Sequence, residues 1–172
     1  MFNEFKNRII EDYDTIMTKN VLYSYQYRIE KGKNYGRYYA NDGCKEITIM
    51  DCEKMAKKHK YWDMSGPQFS SNEQYIIFSV DYLGNDENRL YFKKYDEEKC
   101  IEIKNTKKLR ITNDFVLAKD SDTLYYVTMD STGRQNKVWK TSLSNKDKHT
   151  CVYTEKDPVY NVGLSKTSKG DH

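Results

Sequence analysis

Short runs of alternating apolar and polar residues, separated by polar connections, make up most of this chain. One layout occurs twice: a strand pattern, a connection with one glycine, a second strand pattern, a turn and a third strand pattern. Tyr75–Asp81 lies 49 positions before residues 124–130, and Gly84 and Gly133 keep the same offset. Alternation with a period of two is typical of β-strands, because successive side chains point to opposite faces. The pattern therefore predicts a β-unit that repeats along the chain.

A third copy of this unit fits more loosely between residues 21 and 51. The segments "LYSYQYRIEKG", "GRYYAN" and "KEITIMD" take the places of the three strands, with a turn at residues 31–33. Residues 53–62 follow, with the pattern of a short helix or a loop with a basic face. In the second copy we predict a turn at 70–73, strands at 74–81, 89–95 and 100–104, and an acidic turn at 96–99.

The first residues of the chain have a different spacing. Their apolar positions recur every three or four residues, which is the spacing of one helical face; they are Phe2, Phe5, Ile9, Ile10, Tyr13 and Ile16. Asn3 is a plausible helix cap. The spacing predicts a helix over residues 2–17.

Three strand-rich units with a period of roughly 40 to 50 residues are typical of β-propeller blades, each a four-stranded antiparallel sheet. We therefore predict an all-β fold, a partial β-propeller of about three blades preceded by a short N-terminal helix, in which the innermost strand of each blade is short. A single irregular β-sandwich is the alternative. The predicted limits are 1–19 for the helix and linker and 20–172 for the propeller, with blades at 20–63, 64–112 and 113–165 and the start of a further blade at 166–172.

Three blades are fewer than the roughly four to eight that close a propeller. The chain ends after a turn signal at residues 169–171, where another strand is expected to begin. We therefore expect it to be a piece of something longer. An incomplete ring leaves sheet edges open, and open edges predict self-association.

Composition supports strands and narrows the range of partners. Aromatic residues make up 14% of the chain, with 16 tyrosines, and they favour pleated sheets. The 32% of charged residues predicts strands with one face in water, or surroundings supplied from elsewhere. The net charge is only +3 with both signs interspersed, so it gives no argument for nucleic acid.

The cysteines and the hydropathy pattern bear on location. The four cysteines are widely spaced, without a C-x-x-C pair, and the opening "MFNEFKNRII" lacks the apolar core of a signal peptide. No apolar run approaches the roughly 18 residues of a membrane span. We predict a cytoplasmic protein without a membrane segment and with reduced thiols, a disulfide pair being the alternative; the cysteines are Cys44, Cys52, Cys100 and Cys151.

A search for catalytic chemistry finds no convincing nucleophile. Ser165 lies in the only G-x-S-x string, "GLSKT", but a threonine stands where a nucleophile elbow needs its second glycine. We predict that Ser165 faces a neighbouring strand. His59, His149 and His172 lie in a basic link, in a turn and at the last position, so we predict solvated imidazoles. We predict no catalytic residue in this chain.

Candidate ligand sites are equally sparse. Residues 81–88, "DYLGNDEN", are acidic enough to suggest calcium but lack the order of a calcium-binding loop, so we interpret them as a blade connection. No histidine or cysteine pair has zinc-ligand spacing. We predict no metal and no cofactor. A basic stretch beside Tyr61 and Trp62 could stack on bases, but acidic residues bracket it, so we interpret it as a solvated helix face and predict no nucleic-acid partner; its lysines are Lys54, Lys57, Lys58 and Lys60.

Two tyrosine pairs are candidates for aromatic binding sites. Tyr38–Tyr39 and Tyr125–Tyr126 each lie within a strand pattern, so the two rings of a pair point to opposite faces. We predict that one ring of each pair packs between blades and the other faces outward.

These segments, in this order, resemble the N-terminal propeller region of the prolyl oligopeptidase family of serine peptidases, and within it oligopeptidase B, also called protease II. The resemblance covers nearly the whole chain from about Phe5. It rests on the "EKGK" turn at 30–33, the "DCEKMA" link at 51–56 with His59 and Tyr61, and the segments 75–84, 125–143 and 152–170. The sequence departs from the family at 135–137, where Arg-Pro-Tyr is frequent, and at 157–159, where Asp-Glu-Arg is common.

The resemblance implies a peptidase that cuts short peptides, in oligopeptidase B after Arg or Lys. In that family the propeller lies over an α/β-hydrolase domain, which carries the Ser, Asp and His residues, and restricts entry to small peptides. None of that apparatus is present here, so we expect a truncated propeller that is inactive by itself, with short peptides or a hydrolase domain as partners. The alternatives are a free-standing interaction module that uses its open blade ends, and a non-functional gene relic.

Overall fold

The computed structural model describes residues 2–8, 12–104 and 109–167. It divides into two compact units, Met1–Lys60 and Tyr61–His172. The turn predicted at residues 169–171 and His172 lie outside the described residues.

The first unit is one antiparallel sheet with two short helices. The sheet has the order β1-β3-β4-β5, and β2 pairs with β3 beside β1. The first position of the sheet is therefore shared by two two-residue strands, which leaves a sheet four strands wide. The elements are α1 (Phe2–Asn7), β1 (Tyr13–Asp14), β2 (Thr18–Lys19), β3 (Ser24–Ile29), β4 (Arg37–Asn41), β5 (Glu46–Asp51) and α2 (Cys52–Ala56).

The predicted N-terminal helix is too long. The helix α1 ends at Asn7, and Tyr13 pairs with Ile29 in β1 instead of continuing a helical face. Two residues later, the backbone N–H of Thr15 donates to the carbonyl oxygen of Tyr27 at 2.9 Å. The ring centroids of Tyr13 and Tyr27 lie 6.5 Å apart. Sheet pairing satisfies the backbone here, whereas a short helix with exposed side chains is marginal alone. Ile9 and Ile10 of the predicted face lie outside the described residues.

The second unit contains two four-stranded antiparallel sheets whose strands follow chain order. Together with the first sheet and α1 they give three antiparallel sheets after a short helix, so the predicted fold class is confirmed. The strands of the second sheet are β6 (Asp63–Phe69), β7 (Tyr75–Asp81), β8 (Asn88–Lys94) and β9 (Ile101–Glu102), and those of the third are β10 (Arg110–Leu117), β11 (Thr123–Met129), β12 (Gln135–Ser142) and β13 (Thr150–Thr154).

The first strands of these two sheets were predicted to be short, and that prediction is wrong. Strand β6 has seven residues and β10 has eight. Each is interrupted, because the pairing register shifts between Ser65 and Gln68 in β6 and between Ile111 and Phe115 in β10. An irregularity of this kind breaks the period-two alternation that identifies a strand in sequence.

One apolar core lies between the second and third sheets. Strand β10 packs across β6, β7 and β8, and side chains from facing sides of both sheets form a single cluster. Strand β7 is buried on both faces, unlike the half-wet strands expected from the composition. The cluster consists of Ile77, Leu90, Phe92, Ile103, Ile111, Phe115, Leu117, Leu124, Tyr126, Trp139 and Leu143.

The repeated glycines close equivalent turns in the two sheets. The Asp81 carboxylate accepts the N–H groups of Leu83 and Gly84 at 2.8 and 2.9 Å. One repeat later, Asp130 accepts the N–H of Thr132 at 2.9 Å, and Gly133 donates to its carbonyl. Both glycines have positive φ angles, +72° and +86°, which L side chains rarely adopt. The offset seen in the sequence therefore reflects two turns that each place an aspartate three residues before a glycine with a positive φ angle.

Candidate functional site

Ser165 does not have the surroundings of a catalytic serine. It is exposed and lies in the irregular segment 161–167, where it lines an open groove together with residues of β6 and β10. Within the described part of the chain, its hydroxyl makes no hydrogen bond to a histidine. A serine nucleophile needs a base within hydrogen-bond reach. The geometry around Ser165 therefore gives no support to a nucleophilic role.

His149 is buried, which contradicts the prediction of a solvated turn histidine. Only 7% of its surface is exposed, because its ring lies inside the second unit. The Tyr126 hydroxyl lies 2.9 Å from Nδ1, and the Lys104 carbonyl oxygen lies 3.0 Å from Nε2. A carbonyl oxygen only accepts, so Nε2 donates to it, and in the tautomer that carries its proton on Nε2 the Tyr126 hydroxyl donates to Nδ1. Both ring nitrogens are thus used to join the end of one sheet to the core of the next. His59 is exposed, as expected.

Asp81 of the acidic loop and Trp62 beside the basic stretch are both used within the fold. The acidic loop after β7 is organised by Asp81, whose carboxylate is occupied by backbone N–H groups. In the part of the chain that is described, no group of three His, Cys, Asp or Glu residues is placed to hold a metal ion. Trp62 is only 5% exposed, so its ring is not available for stacking on a base.

The cysteines are free thiols in different environments. Cys44 and Cys151 are exposed, Cys100 is half-buried and Cys52 is buried. Burial raises the pKa of Cys52 to about 12, with a smaller contribution from the nearby Asp51 carboxylate, so this thiol is unreactive at neutral pH. None of the helices described is long and apolar enough to cross a membrane.

The tyrosine pairs behave as predicted in the third sheet. Tyr126 is fully buried in the core shared with the second sheet, whereas Tyr125 on the opposite face is half-buried. In the first unit, Tyr39 holds the Arg28 guanidinium over its ring at 4.5 Å. Tyr38 instead packs its ring 4.6 Å from Tyr27. These rings are thus used within the fold, which leaves no open aromatic cage at either pair.

Sheet edges β6 and β10 meet through one side-chain amide. Gln68 Nε2 donates to the carbonyl oxygen of Phe115 at 2.6 Å, and its Oε1 accepts from Leu117 N at 3.4 Å. A second link nearby joins Asn72 N to Ser121 Oγ at 3.3 Å. The Gln68 amide therefore pairs with the backbone of β10 much as another strand would. Nothing in the sequence around Gln68 marked it, because its partners lie nearly 50 residues away.

An open groove of about 390 Å³ runs beside this edge. Asp114, in the irregular part of β10, contributes a half-buried carboxylate whose Oδ2 accepts the N–H of Leu164 at 2.8 Å. Burial raises the pKa of Asp114, and the hydrogen bond from Leu164 only partly offsets it. The groove is lined by Gln68, Phe69, Asn113, Asp114, Phe115, Val116, Leu117, Leu164, Ser165 and Lys166.

Arg134 fixes the segment that returns from β13 to the groove. Its guanidinium donates to the carbonyl oxygens of Asp157 and Tyr160 at 2.8 and 3.0 Å. It also lies 3.3 Å from the Asp130 carboxylate. Val162 N then donates to the carbonyl of Gln135 at 2.9 Å. The wall of the groove formed by residues 164–166 is thus anchored to the third sheet. The sequence signal for Arg134 was its position directly after the repeated glycine.

The geometry of the second unit offers shape and hydrogen-bonding groups, without an assembled nucleophile and base in the described residues. The sequence comparison agrees with this architecture. The family model of the prolyl oligopeptidase N-terminal β-propeller domain matches residues 1–172. No curated protein sequence matches the chain.

Similar solved structures share the fold over nearly the whole chain. Oligopeptidase B from Leishmania major has a TM-score of 0.82 at 24% identity, with 98% of this chain and 24% of that chain covered. Oligopeptidase B from Trypanosoma brucei, in a closed form with covalently bound antipain, has a TM-score of 0.80 at 21% identity, with 98% of this chain and 24% of that chain covered. A structure from a study of two prolyl endopeptidases has a TM-score of 0.73 at 15% identity, with 93% of this chain and 25% of that chain covered.

The chain spans about a quarter of the length of these solved structures. At such identities the likeness establishes the fold, and the family match establishes the relationship. The predicted resemblance is therefore confirmed. This chain belongs to the prolyl oligopeptidase family, and it corresponds to the family's N-terminal β-propeller domain.

Proposed function

We propose that this chain forms the N-terminal blades of an oligopeptidase B-like serine peptidase and restricts access to an active site carried by an α/β-hydrolase domain. The substrates of such an assembly are short peptides. The family match over residues 1–172 carries this proposal. The blade limits 20–63, 64–112 and 113–165 are part of it.

The proposed role is steric, so it requires blades that keep their structure when a large substrate approaches. The second and third sheets share one close-packed core, with Leu124, Tyr126 and Ile77 fully buried between them. Close-packed interiors resist deformation, because opening them forfeits many contacts at once. Gln68 and His149 add hydrogen bonds between the two sheets. These contacts support a rigid filter that excludes large substrates by size.

The same proposal assigns no peptidase chemistry to this chain alone. The purified chain is expected to leave an arginine-containing chromogenic peptide intact and to resist labelling by a fluorophosphonate. Stoichiometric labelling that is lost in Ser165→Ala would contradict the proposal, since it would identify a reactive serine here.

A chimera tests the steric role directly. Residues 1–172 replace the corresponding blades of an active oligopeptidase B, and cleavage of a short arginine peptide is compared with cleavage of unfolded casein. The chimera is expected to cleave the peptide and to spare the long chain. A cooperatively folded chimera that cleaves both at similar rates would refute the filter role.

A second candidate function is an interaction module, and strand β13 favours it. All five of its residues are exposed at the edge of the third sheet, and the exposed fractions of Val152 and Tyr153 are 45% and 50%. An exposed edge strand offers unpaired backbone groups to another strand. In this case size-exclusion chromatography with light scattering would show a discrete oligomer that Val152→Lys disrupts. A stable monomer at high concentration would exclude self-association through this edge.

We also propose a cytoplasmic location. The four cysteines form no disulfide, and two of them are exposed. Exposed free thiols persist in reducing compartments. Expression with a fluorescent tag in the cells of origin tests this, and a secreted or organellar signal would contradict it.

A further inference from the structure

The Asp114 carboxylate is buried more than its partners justify. Its Oδ2 accepts one N–H, from Leu164, and no cation among the described residues forms an ion pair with it. Two other half-buried carboxylates of this protein have such partners, since Arg37 lies 2.9 Å from Asp51 and Arg134 lies 3.3 Å from Asp130. A third, Asp122, accepts hydrogen bonds from Ser142 and Ser144, whereas Asp114 accepts only one from the residues described. Removing a carboxylate from water without a cation is unfavourable, and a cationic ligand would reverse this cost.

The groove beside Asp114 has the size and lining for an organic cation. Its volume, about 390 Å³, falls in the range of small-molecule sites. Phe69 and Leu164 offer half-buried apolar surface, while Asn113 and Ser165 offer exposed polar groups. A ligand with an apolar stem and a charged end matches this mixture, as the side chains of arginine and lysine do.

A metal ion fits the groove less well than an organic cation. Calcium takes about six to eight oxygen ligands, with several carboxylates among them. Asp114 is the only carboxylate among the lining residues, and no metal-binding group of three is found in the described ranges. A guanidinium, by contrast, needs one carboxylate and a few neighbouring acceptors.

Lys166 lines the groove without neutralising Asp114. It is exposed, and it makes no ion pair with Asp114 in the structure described. A flexible, exposed lysine gains little from such a pair, because its ammonium is well hydrated and holding it costs side-chain entropy. The carboxylate is therefore accessible to a cation from outside.

From these observations we propose that the groove beside Asp114 binds the guanidinium group of a ligand with an apolar stem. Asp114 Oδ1 accepts the charged group, Asn113 adds a polar contact, and the stem packs on Phe69 and Leu164. This assignment goes beyond the steric filter and does not depend on it, since binding is measured on the isolated chain.

The test is a chemical-shift titration of the ¹⁵N-labelled chain with N-acetyl-arginine N-methylamide. Saturable shifts are expected at the amides of Asp114, Gly163 and Leu164, with millimolar affinity. The matched ligand is N-acetyl-citrulline N-methylamide, which has nearly the same shape without the charge. It is expected to bind at least about tenfold more weakly, because a charge-assisted hydrogen bond is replaced by a neutral one.

Asp114→Asn is the matched protein variant, because its side-chain oxygen can still accept the N–H of Leu164. It is expected to weaken binding of the arginine ligand at least about tenfold. Asp147→Asn makes the same charge change in an exposed turn and is expected to bind like the parent chain. Melting curves of both variants establish that they remain folded.

Three results would overturn the site. They are undiminished binding by folded Asp114→Asn, equal binding of the arginine and citrulline ligands, and an equal loss in Asp147→Asn. The last would mean that net charge, and not the groove, attracts the ligand. Failure of this titration leaves the size-filter proposal unaffected, because the chimera measures that separately.

Discussion

Gln68 Nε2 donates to the carbonyl oxygen of Phe115 at 2.6 Å, which connects the first strand of one sheet to the first strand of the next. The same amide also accepts from Leu117 N, at 3.4 Å. One side chain therefore satisfies two backbone groups on an edge beside which no strand of the described residues lies. Because unsatisfied backbone groups near a core are costly, this contact stabilises the junction between the sheets.

Gln68→Met is expected to lower the free energy of unfolding by about 1–3 kcal/mol, since the carbonyl of Phe115 and the N–H of Leu117 lose their partner. Urea denaturation followed by tryptophan fluorescence measures this. Gln135→Met is the control, because Gln135 is also half-buried on a strand and its side chain makes no hydrogen bond in the described structure. A change within about 0.5 kcal/mol is expected there. Equal effects of the two substitutions would contradict the bridging role.

Tyr126→Phe is expected to cost about 1–2 kcal/mol, because it removes the hydroxyl that hydrogen-bonds to Nδ1 of the buried His149. The ring remains, so packing in the core is kept. Tyr160→Phe removes a hydroxyl from a side chain that is 60% exposed and should change stability by less than about 0.5 kcal/mol. If the Tyr126 variant were as stable as the parent chain, the inferred tautomer and donor at His149 would be wrong.

Gly84→Ala and Gly133→Ala test the equivalence of the two turns. Both positions have positive φ, so alanine is expected to cost about 1–2 kcal/mol at each. A Cβ at Gly84 also meets the Tyr61 ring at 3.3 Å, whereas a Cβ at Gly133 has nothing within 4 Å. The thermal midpoint should therefore fall further for Gly84→Ala. A stabilised variant at either position would show that the turn does not require this conformation.

Asp81→Asn is expected to lower stability by about 1–3 kcal/mol at pH 7. Burial raises the pKa of Asp81, but the N–H groups of Leu83, Gly84 and Asp86 outweigh burial and hold this pKa below its usual value. A depressed pKa stabilises the fold above about pH 4 and ceases to do so as the pH falls through the folded-state value. The difference between variant and parent should shrink at pH 3. An unchanged difference would exclude the charge as its cause.

Asp114→Asn is expected to change the free energy of unfolding at pH 7 in the opposite direction to Asp81→Asn. Because burial raises the pKa of Asp114, its ionised form destabilises the fold at neutral pH, and this effect disappears as the pH falls below the unfolded-state value. The variant is expected to be at least as stable as the parent chain at pH 7, with the advantage lost in acid. Denaturation at both pH values measures it. A destabilised variant at pH 7 would mean that Asp114 has a structural partner.

The repeat could be recognised from the sequence because its signals are local. Asp81 and Asp130 close their turns through hydrogen bonds to residues two to five positions away, so a short segment of sequence contains all the residues of each turn. The strands β7 and β11 are short runs rich in aromatic and β-branched residues, and their ends lie within one residue of the segments 74–81 and 124–130 recognised in the sequence. The order of these segments also carried the family resemblance.

The misassigned elements depend on distant partners. The helix predicted to residue 17 gives way to β1 because Tyr13 pairs with Ile29. Strands β6 and β10 were missed because their irregular residues interrupt the alternation. His149 looked like a turn residue in sequence, and only the packing of two sheets encloses it.

The sequence by itself determined the strand-rich repeat, the turns and the family, because each depends on short-range periodicity and on the conformations that particular residues allow. The tertiary structure alone decided how the sheets are joined and where a groove forms. Asp114 meets Leu164 fifty residues along the chain, and Gln68 meets Phe115 across two sheets. Such contacts arise from burying apolar faces together, and no local pattern records which polar groups that packing brings within hydrogen-bond distance.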